Sequence, residues 1–228
     1  EELAEPVRGR LRLAGVACEG LRSLDLDVEP GEIVGVVPAD QAAGTVLTEL
    51  LGRFRDPASG TVELDGRPLH TLDPAAVRTA VLVAEHDADL FDGTLLANVA
   101  LENATETAVK SALAASTVDE VVQGRPADGP IGEGGRSLSG GQRQRVALAR
   151  SLAADPPVLV LHDPTTAVDA VTEQRIAAGI RDLRRGRTTV LVTTSPSLLS
   201  VTDRVLLLVD GTIQAAGTHA ELIRDDDR

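Results

Sequence analysis

Leu138-Ser139-Gly140-Gly141-Gln142-Arg143-Gln144-Arg145-Val146-Ala147-Leu148-Ala149-Arg150 is the stretch from which the rest of the chain can be read. A serine, two glycines and then a run with helical spacing describe a loop that turns into a helix. Glycines at such a junction let backbone N–H groups approach an anion closely, the helix N-terminus adds partial positive charge, and Ser139 adds a hydroxyl donor. The same letters also describe a plain glycine-containing helix cap with no ligand. Downstream come Asp155-Pro156-Pro157, an apolar run Val158 to Leu161, and then Pro164-Thr165-Thr166-Ala167-Val168-Asp169.

Further out, short apolar runs bounded by glycine, proline and acidic turns recur at Leu11 to Val16, Ile33 to Val37, Val81 to Ala84, Val158 to Leu161, Val190 to Thr193 and Arg204 to Val209. These read as strands. Helical spacing occupies Val46 to Arg53, Ser139 to Ala154, Ala170 to Arg185 and His219 to Arg224. Strands alternating with helices predict an α/β fold with a parallel sheet and helical crossovers. Asp65-Gly66, between Thr61 to Leu64 and Pro68 to Leu69, predicts an antiparallel flap. From Asp87 to Ala154 there are helical patterns and a Gly/Pro-rich loop, Gly124 to Gly135, but no convincing strand, so this part reads as a helical insertion. The expected division is an α/β core with flap over 1–86 and 156–228 and a helical subdomain over 87–155.

The composition narrows the function. A chain of 228 residues, 43% hydrophobic, is long enough for one substantial core. Its net charge of −13 excludes a basic surface for nucleic acid. The single cysteine, Cys18, excludes an internal disulfide and a multi-cysteine metal site. No apolar run approaches the roughly 20 residues that span a bilayer. The chain contains no methionine, and the segment from Glu1 to Arg8 lacks the character of a signal peptide. It reads as a domain cut from a longer polypeptide.

Taken in order and spacing, Leu138 to Arg150, Asp155 to Leu161 and Pro164 to Asp169 resemble the signature, its helix and the following loop of ABC ATPases. Gly31-Glu32, Asp56-Pro57-Ala58-Ser59-Gly60, Leu64-Asp65-Gly66, Leu90-Phe91-Asp92-Gly93-Thr94, Asn98 to Leu101 and Asp210 to His219 are similar to further landmarks, so the resemblance covers nearly the whole chain. It implies an ABC-type ATPase domain with a RecA-like parallel-sheet core, an antiparallel β flap and an inserted helical subdomain. It also implies that Ser139, Gly140, Gly141 and Gln142 bind the γ-phosphate of ATP held by the other domain of a dimer. Asp169 is then expected to lie across the dimer interface, although a bare helix cap describes it equally well. Ile131-Gly132-Glu133-Gly134-Gly135 resembles the loop through which exporters touch their transmembrane coupling helices, with Glu133 at its centre; an ordinary flexible glycine loop is the alternative.

The chain departs from the family where a nucleotide of its own would sit. A phosphate-cradling loop needs glycines and a lysine. The pattern falls instead on Pro38, Ala39, Asp40, Gln41, Ala42, Ala43, Gly44 and Thr45, and the only lysine is Lys110. Pro38 lacks an N–H and Asp40 brings negative charge toward a phosphate position. Thr45 is left as a magnesium-ligand hydroxyl or, more simply, as a residue that helps start the next helix. The aromatic on which adenine stacks, expected around Cys18 to Gly20, is missing. The glutamine that links metal and water to the helical insertion corresponds to His86, the magnesium aspartate to His162, the glutamate that polarises water to Asp163 and the switch histidine to Thr194. Asp163 is a methylene shorter than glutamate, and imidazole is a poor magnesium ligand.

These losses share one function, whereas the residues that serve a partner's nucleotide remain. The expected protein is one half of a heterodimeric exporter, with no intact catalytic residue or metal site of its own. ATP and Mg2+ act mainly at the site of a half-transporter with intact motifs. The domain is expected at the cytoplasmic face of the cell membrane, with transmembrane domains on both subunits and its own encoded before Glu1. A structural or regulatory ABC-like dimerisation domain that energises no transport is the alternative.

Overall fold

In the computed structural model, the described residues are Leu3, 6–85, 89–101, 104–122 and 129–225. Along the chain come β1 (Leu11–Cys18), β2 (Leu21–Val28), β3 (Ile33–Pro38), α1 (Gln41–Leu51), β4 (Ser59–Leu64), β5 (Arg67–Pro68), α2 (Pro74–Ala80) and β6 (Val81–Ala84). Then follow α3 (Leu95–Val99), α4 (Glu106–Ala115), α5 (Val118–Val122), α6 (Gly140–Ala153), β7 (Val158–His162) and α7 (Ala170–Leu183). The chain closes with β8 (Thr188–Val192), α8 (Pro196–Leu199), β9 (Arg204–Val209), β10 (Thr212–Gly217) and α9 (His219–Asp225). Contacts group these into two units, one of 1–83, 156–162 and 184–228, the other of 84–155 and 163–183.

The first unit holds two sheets. One has the order β10-β9-β3-β8-β7-β6, with β3 parallel to both β8 and β9 and β7 parallel to β8. β3, β7 and β8 read as nearly unbroken apolar runs because both faces are covered, the usual condition of parallel strands. The other sheet, β2-β1-β4-β5, is antiparallel and contains the flap turn at Asp65-Gly66, where both residues have positive φ. α1 packs against β3 and β7, and its Leu47, Leu50 and Leu51 join Val34, Val36, Val160 and Val190 in the core.

Two sequence expectations change here. Helical spacing places a helix over Val46 to Arg53, but α1 begins at Gln41, because Asp40 accepts a hydrogen bond from the Ala42 N–H at 3.0 Å and caps it. β2, absent from the strands read above, alternates only over its second half. Its buried residues are Leu21, Leu24, Leu26 and Val28, and the step from 21 to 24 breaks alternation at Ser23, which has φ of 51° beside a register irregularity against β1.

The second unit is helical. α6 packs against α3, α4 and α5, while α4 also packs against α7. Leu95, Val99, Val109, Ala112, Val146, Ala149, Leu152, Ile176 and Ile180 are buried in it. α4 and α7 come unusually close at Gly179, where an added Cβ would stand 2.5 Å from the Ala115 carbonyl oxygen. Sequence alone groups α7 with the α/β core; its contacts with α4 place it with the helices.

Candidate functional site

The first turn of α6 is built as an open anion cradle. Ser139 is the N-cap: its Oγ accepts from the Gln142 N–H at 3.2 Å, and the Gln142 side-chain oxygen accepts from the Ser139 N–H at 2.9 Å. This reciprocal pair consumes a lone pair of Ser139 and leaves its O–H proton to be donated elsewhere. The N–H groups of Gly140 and Gly141 lie in the first turn, where a helix supplies no acceptor. Ser139 and Gly140 are exposed, so these donors reach solvent. Gln142, expected as a direct phosphate contact, has its amide oxygen turned back on the cap and retains only its NH2 for a ligand. Such a junction accepts an oxyanion without rearranging.

Thr165 to Asp169 lies directly against this cradle. A Cβ on Gly141 would collide with the Ala167 carbonyl oxygen, and one on Gly140 would touch the Ala167 side chain at 3.7 Å. Glycine is therefore required at 141 by the approach of backbone rather than by φ. Gln144, one turn further along α6, donates to Thr166 Oγ1 at 2.6 Å and accepts from the Ala167 N–H at 2.8 Å. Thr165 donates to Glu173 at 2.6 Å. Asp169 is exposed and accepts from the Thr172 N–H at 3.0 Å, which holds its carboxyl below the usual carboxylate range. Of the two expected descriptions of Asp169, this geometry gives the helix cap.

Glu133 sits in a single turn, Glu133–Gly135, with its side chain 73% exposed and paired with Arg136 at 3.3 Å. The loop is not a free glycine loop. Ile131 is buried and donates its N–H to Gly93, Ser137 donates its hydroxyl to the Ile131 carbonyl, and the Gly134 N–H reaches Asp92. The neighbouring turn is fixed by the buried Asn98, whose amide bonds both the N–H and C=O of Phe91 and the C=O of Thr94. Phe91 and Leu96 nevertheless remain 57% and 40% exposed, with the Arg150 guanidinium 4.7 Å from the centre of the Phe91 ring.

Pro38 to Thr45 carries side chains of its own where the phosphate-loop pattern has glycines. Pro38 is the buried last residue of β3, and Asp40 occupies the N-terminus of α1 with its carboxylate. Gln41 and Ala43 are helical residues rather than loop residues. At Gly44, the lysine position of the pattern, a Cβ would stand 3.0 Å from Pro38 and 3.3 Å from Val192, so that side of the helix faces the sheet. Thr45 does not start the helix, as its letter suggests. It lies inside α1 and its hydroxyl donates to the Gln41 carbonyl at 3.2 Å.

Where the adenine platform is expected, Arg55 pairs with Glu19 at 2.8 Å and with Glu49 at 2.6 Å, and reaches the Cys18 sulfur at 3.8 Å. These contacts, Glu19 first, raise the Arg55 pKa. His162 ends β7 and is buried. Asp163 follows with φ of 45°, in the left-handed region. Thr194 is exposed after β8, and His86 lies outside the described residues. With a carboxylate on the helix N-terminus, no lysine and no aromatic, these residues do not fit MgATP. The α6 cradle, with uncommitted glycine N–H groups and a hydroxyl proton, fits a phosphate oxygen.

Comparison with known proteins identifies the family of the chain. The ABC transporter family profile matches residues 21–166. An ATP-dependent lipid A-core flippase of Ralstonia nicotianae is 39% identical over 213 residues, covering 90% of this chain and 36% of the flippase. The namesake from Cupriavidus metallidurans is 36% identical and covers 93% of this chain and 37% of its own length. Among solved structures, a bacterial Atm1-family ABC exporter with ATP bound superimposes with a TM-score of 0.88 at 30% identity, covering 96% of this chain and 40% of that one. The chain therefore spans little more than a third of the length of the curated relatives it matches.

Proposed function

The chain belongs to the ABC transporter family, as a nucleotide-binding domain of the exporter type, and from that premise we propose that it is the non-hydrolysing half of a heterodimer whose one working ATP site it completes in trans. It sits at the cytoplasmic face of the membrane, attached to a transmembrane domain and facing a half-transporter with intact phosphate loop, glutamate and switch histidine. MgATP is held by that partner. Ser139 donates its hydroxyl proton, and Gly140 and Gly141 their N–H groups, to the γ-phosphate. This stabilises charge in the transition state and holds the phosphoryl group in line. Asp169 and its loop meet the partner beside that site. Glu133, with exposed Phe91 and Leu96, contacts the transmembrane domains and passes closure on to them.

The observation that carries this reading is the contrast at residue 40. The Asp40 carboxylate sits on the N-terminus of α1, where an incoming phosphate would meet charge repulsion and lost hydrogen-bond donors. The test is photolabelling of the assembled transporter with an azido-ATP under vanadate trapping. The label is expected on the partner and not on this chain, and this chain alone is expected to show negligible turnover. Trapped label on this chain, or turnover by the chain alone that depends on residues Pro38 to Thr45, would sink the proposal.

A further inference from the structure

We propose that Gln144 is a positioning residue for the trans site, an inference that rests on the reading above and deepens it. Its amide bonds two adjacent residues of the loop at once: the Nε2 donates to Thr166 Oγ1 and the Oε1 accepts from the Ala167 N–H, at 2.6 and 2.8 Å. Gln144 lies three residues after Gly141 on α6, which puts the two on one face of the helix. That face meets Ala167 twice, through the Gln144 amide and through the bare Cα of Gly141. The loop is also tied at its start by Thr165 to Glu173 and at its end by Asp169 to Thr172.

Each end tie runs to α7, whereas the Gln144 clamp is the hydrogen-bonded link from the loop's middle to the helix that carries the cradle. Gln144 therefore couples the helix capped by Ser139 to the loop that ends at Asp169, and the partner is to meet the phosphate donors and the interface carboxylate as one piece. A primary amide suits this task because one planar group offers a donor and an acceptor side by side. Gln144 touches no nucleotide itself. Its effect falls on how well the cradle is placed when the domains close, a step in which misplacement of an ångström or less is felt in kcat.

The test uses the assembled transporter carrying this chain and separates kcat from the KM for ATP. Gln144→Ala removes both bonds, Thr166→Val removes only the hydroxyl acceptor, and Thr166→Ser retains it. In Gln144→Ala, kcat should fall about tenfold while KM stays within about twofold, because the partner's own loop holds ATP before closure. Thr166→Val should fall about threefold and Thr166→Ser should recover, with equal unfolding midpoints in this pair. The Gln144→Ala/Thr166→Val double variant should be no slower than Gln144→Ala, since the bond that Thr166→Val breaks is already gone in Gln144→Ala. Multiplying effects in the double variant overturn the clamp. So does a kcat of Gln144→Ala within twofold of the parent while Ser139→Ala still slows turnover, and in that case the trans signature stands. If Ser139→Ala is equally harmless, the underlying reading fails instead.

Discussion

Two helices of this chain begin in the manner of phosphate-binding helices, and they end up opposite in character. α6 starts from a neutral serine cap followed by two glycines, and its first-turn donors stay uncommitted. α1 starts from an aspartate cap behind a buried proline, and that carboxylate takes the Ala42 N–H and puts a negative charge on the helix N-terminus. Fold and helix polarity are the same in both, so neither decides whether an anion binds. The side chain on the cap decides it, together with whether the next residues carry a Cβ. A helix N-terminus is an anion site only when the protein has not already filled it.

The most forceful way to break this contrast is to make α6 resemble α1. Gly141→Asp puts a Cβ against the Ala167 carbonyl and a carboxylate beside the position proposed for the γ-phosphate, and should lower turnover of the assembled transporter by more than about a hundredfold. Ser139→Ala removes one hydrogen bond to a charged group, about 1.5–3 kcal/mol, and should slow the same assay about ten- to a hundredfold. Retained turnover in both would mean that α6 is only a capped helix.

The reverse experiment sharpens the contrast from the other side. Gly44→Lys should restore no hydrolysis, because a side chain there runs into Pro38 and Val192 and because His162, Asp163 and Thr194 remain as they are. Recovery of labelling on this chain would show that α1 can still open. Asp40→Ala removes a helix cap, worth about 1 kcal/mol, and should lower the unfolding midpoint by about 2–4 °C without slowing turnover. Smallest of all, His162→Ala and Thr194→Ala should leave turnover within about threefold, since they line positions already given up.

How much of this could be read from letters alone differs between the two helices for the same reason. The α6 junction was legible because serine, glycine and glutamine there obey local rules, and the capping box closes between neighbours in sequence. Departure from the phosphate-loop pattern is legible as missing glycines and lysine. That α1 would start at Gln41 was hidden, because Asp40, Gln41 and Ala42 lack the apolar spacing that marks a helix facing a core. The cap, and not burial, recruits them. The Arg55 cluster and the Gln144 clamp join residues far apart in the chain, at 19, 49 and 55 or at 144 and 166, and no window of sequence contains them. β10, short, small-residued and partly exposed, shows no alternation to read.

The approach of α4 to α7 at Gly179 has a genetic consequence. Any side chain at 179 must push against the Ala115 backbone, and even a methyl group there should cost about 1–3 kcal/mol. Gly179→Ala would leave every donor of the cradle chemically intact while loosening the unit that carries α6. A screen for conditional alleles of the proposed transporter should thus recover position 179 as a heat-sensitive lesion, with the proposed activity lost on warming and regained on cooling while the cradle residues stay wild-type.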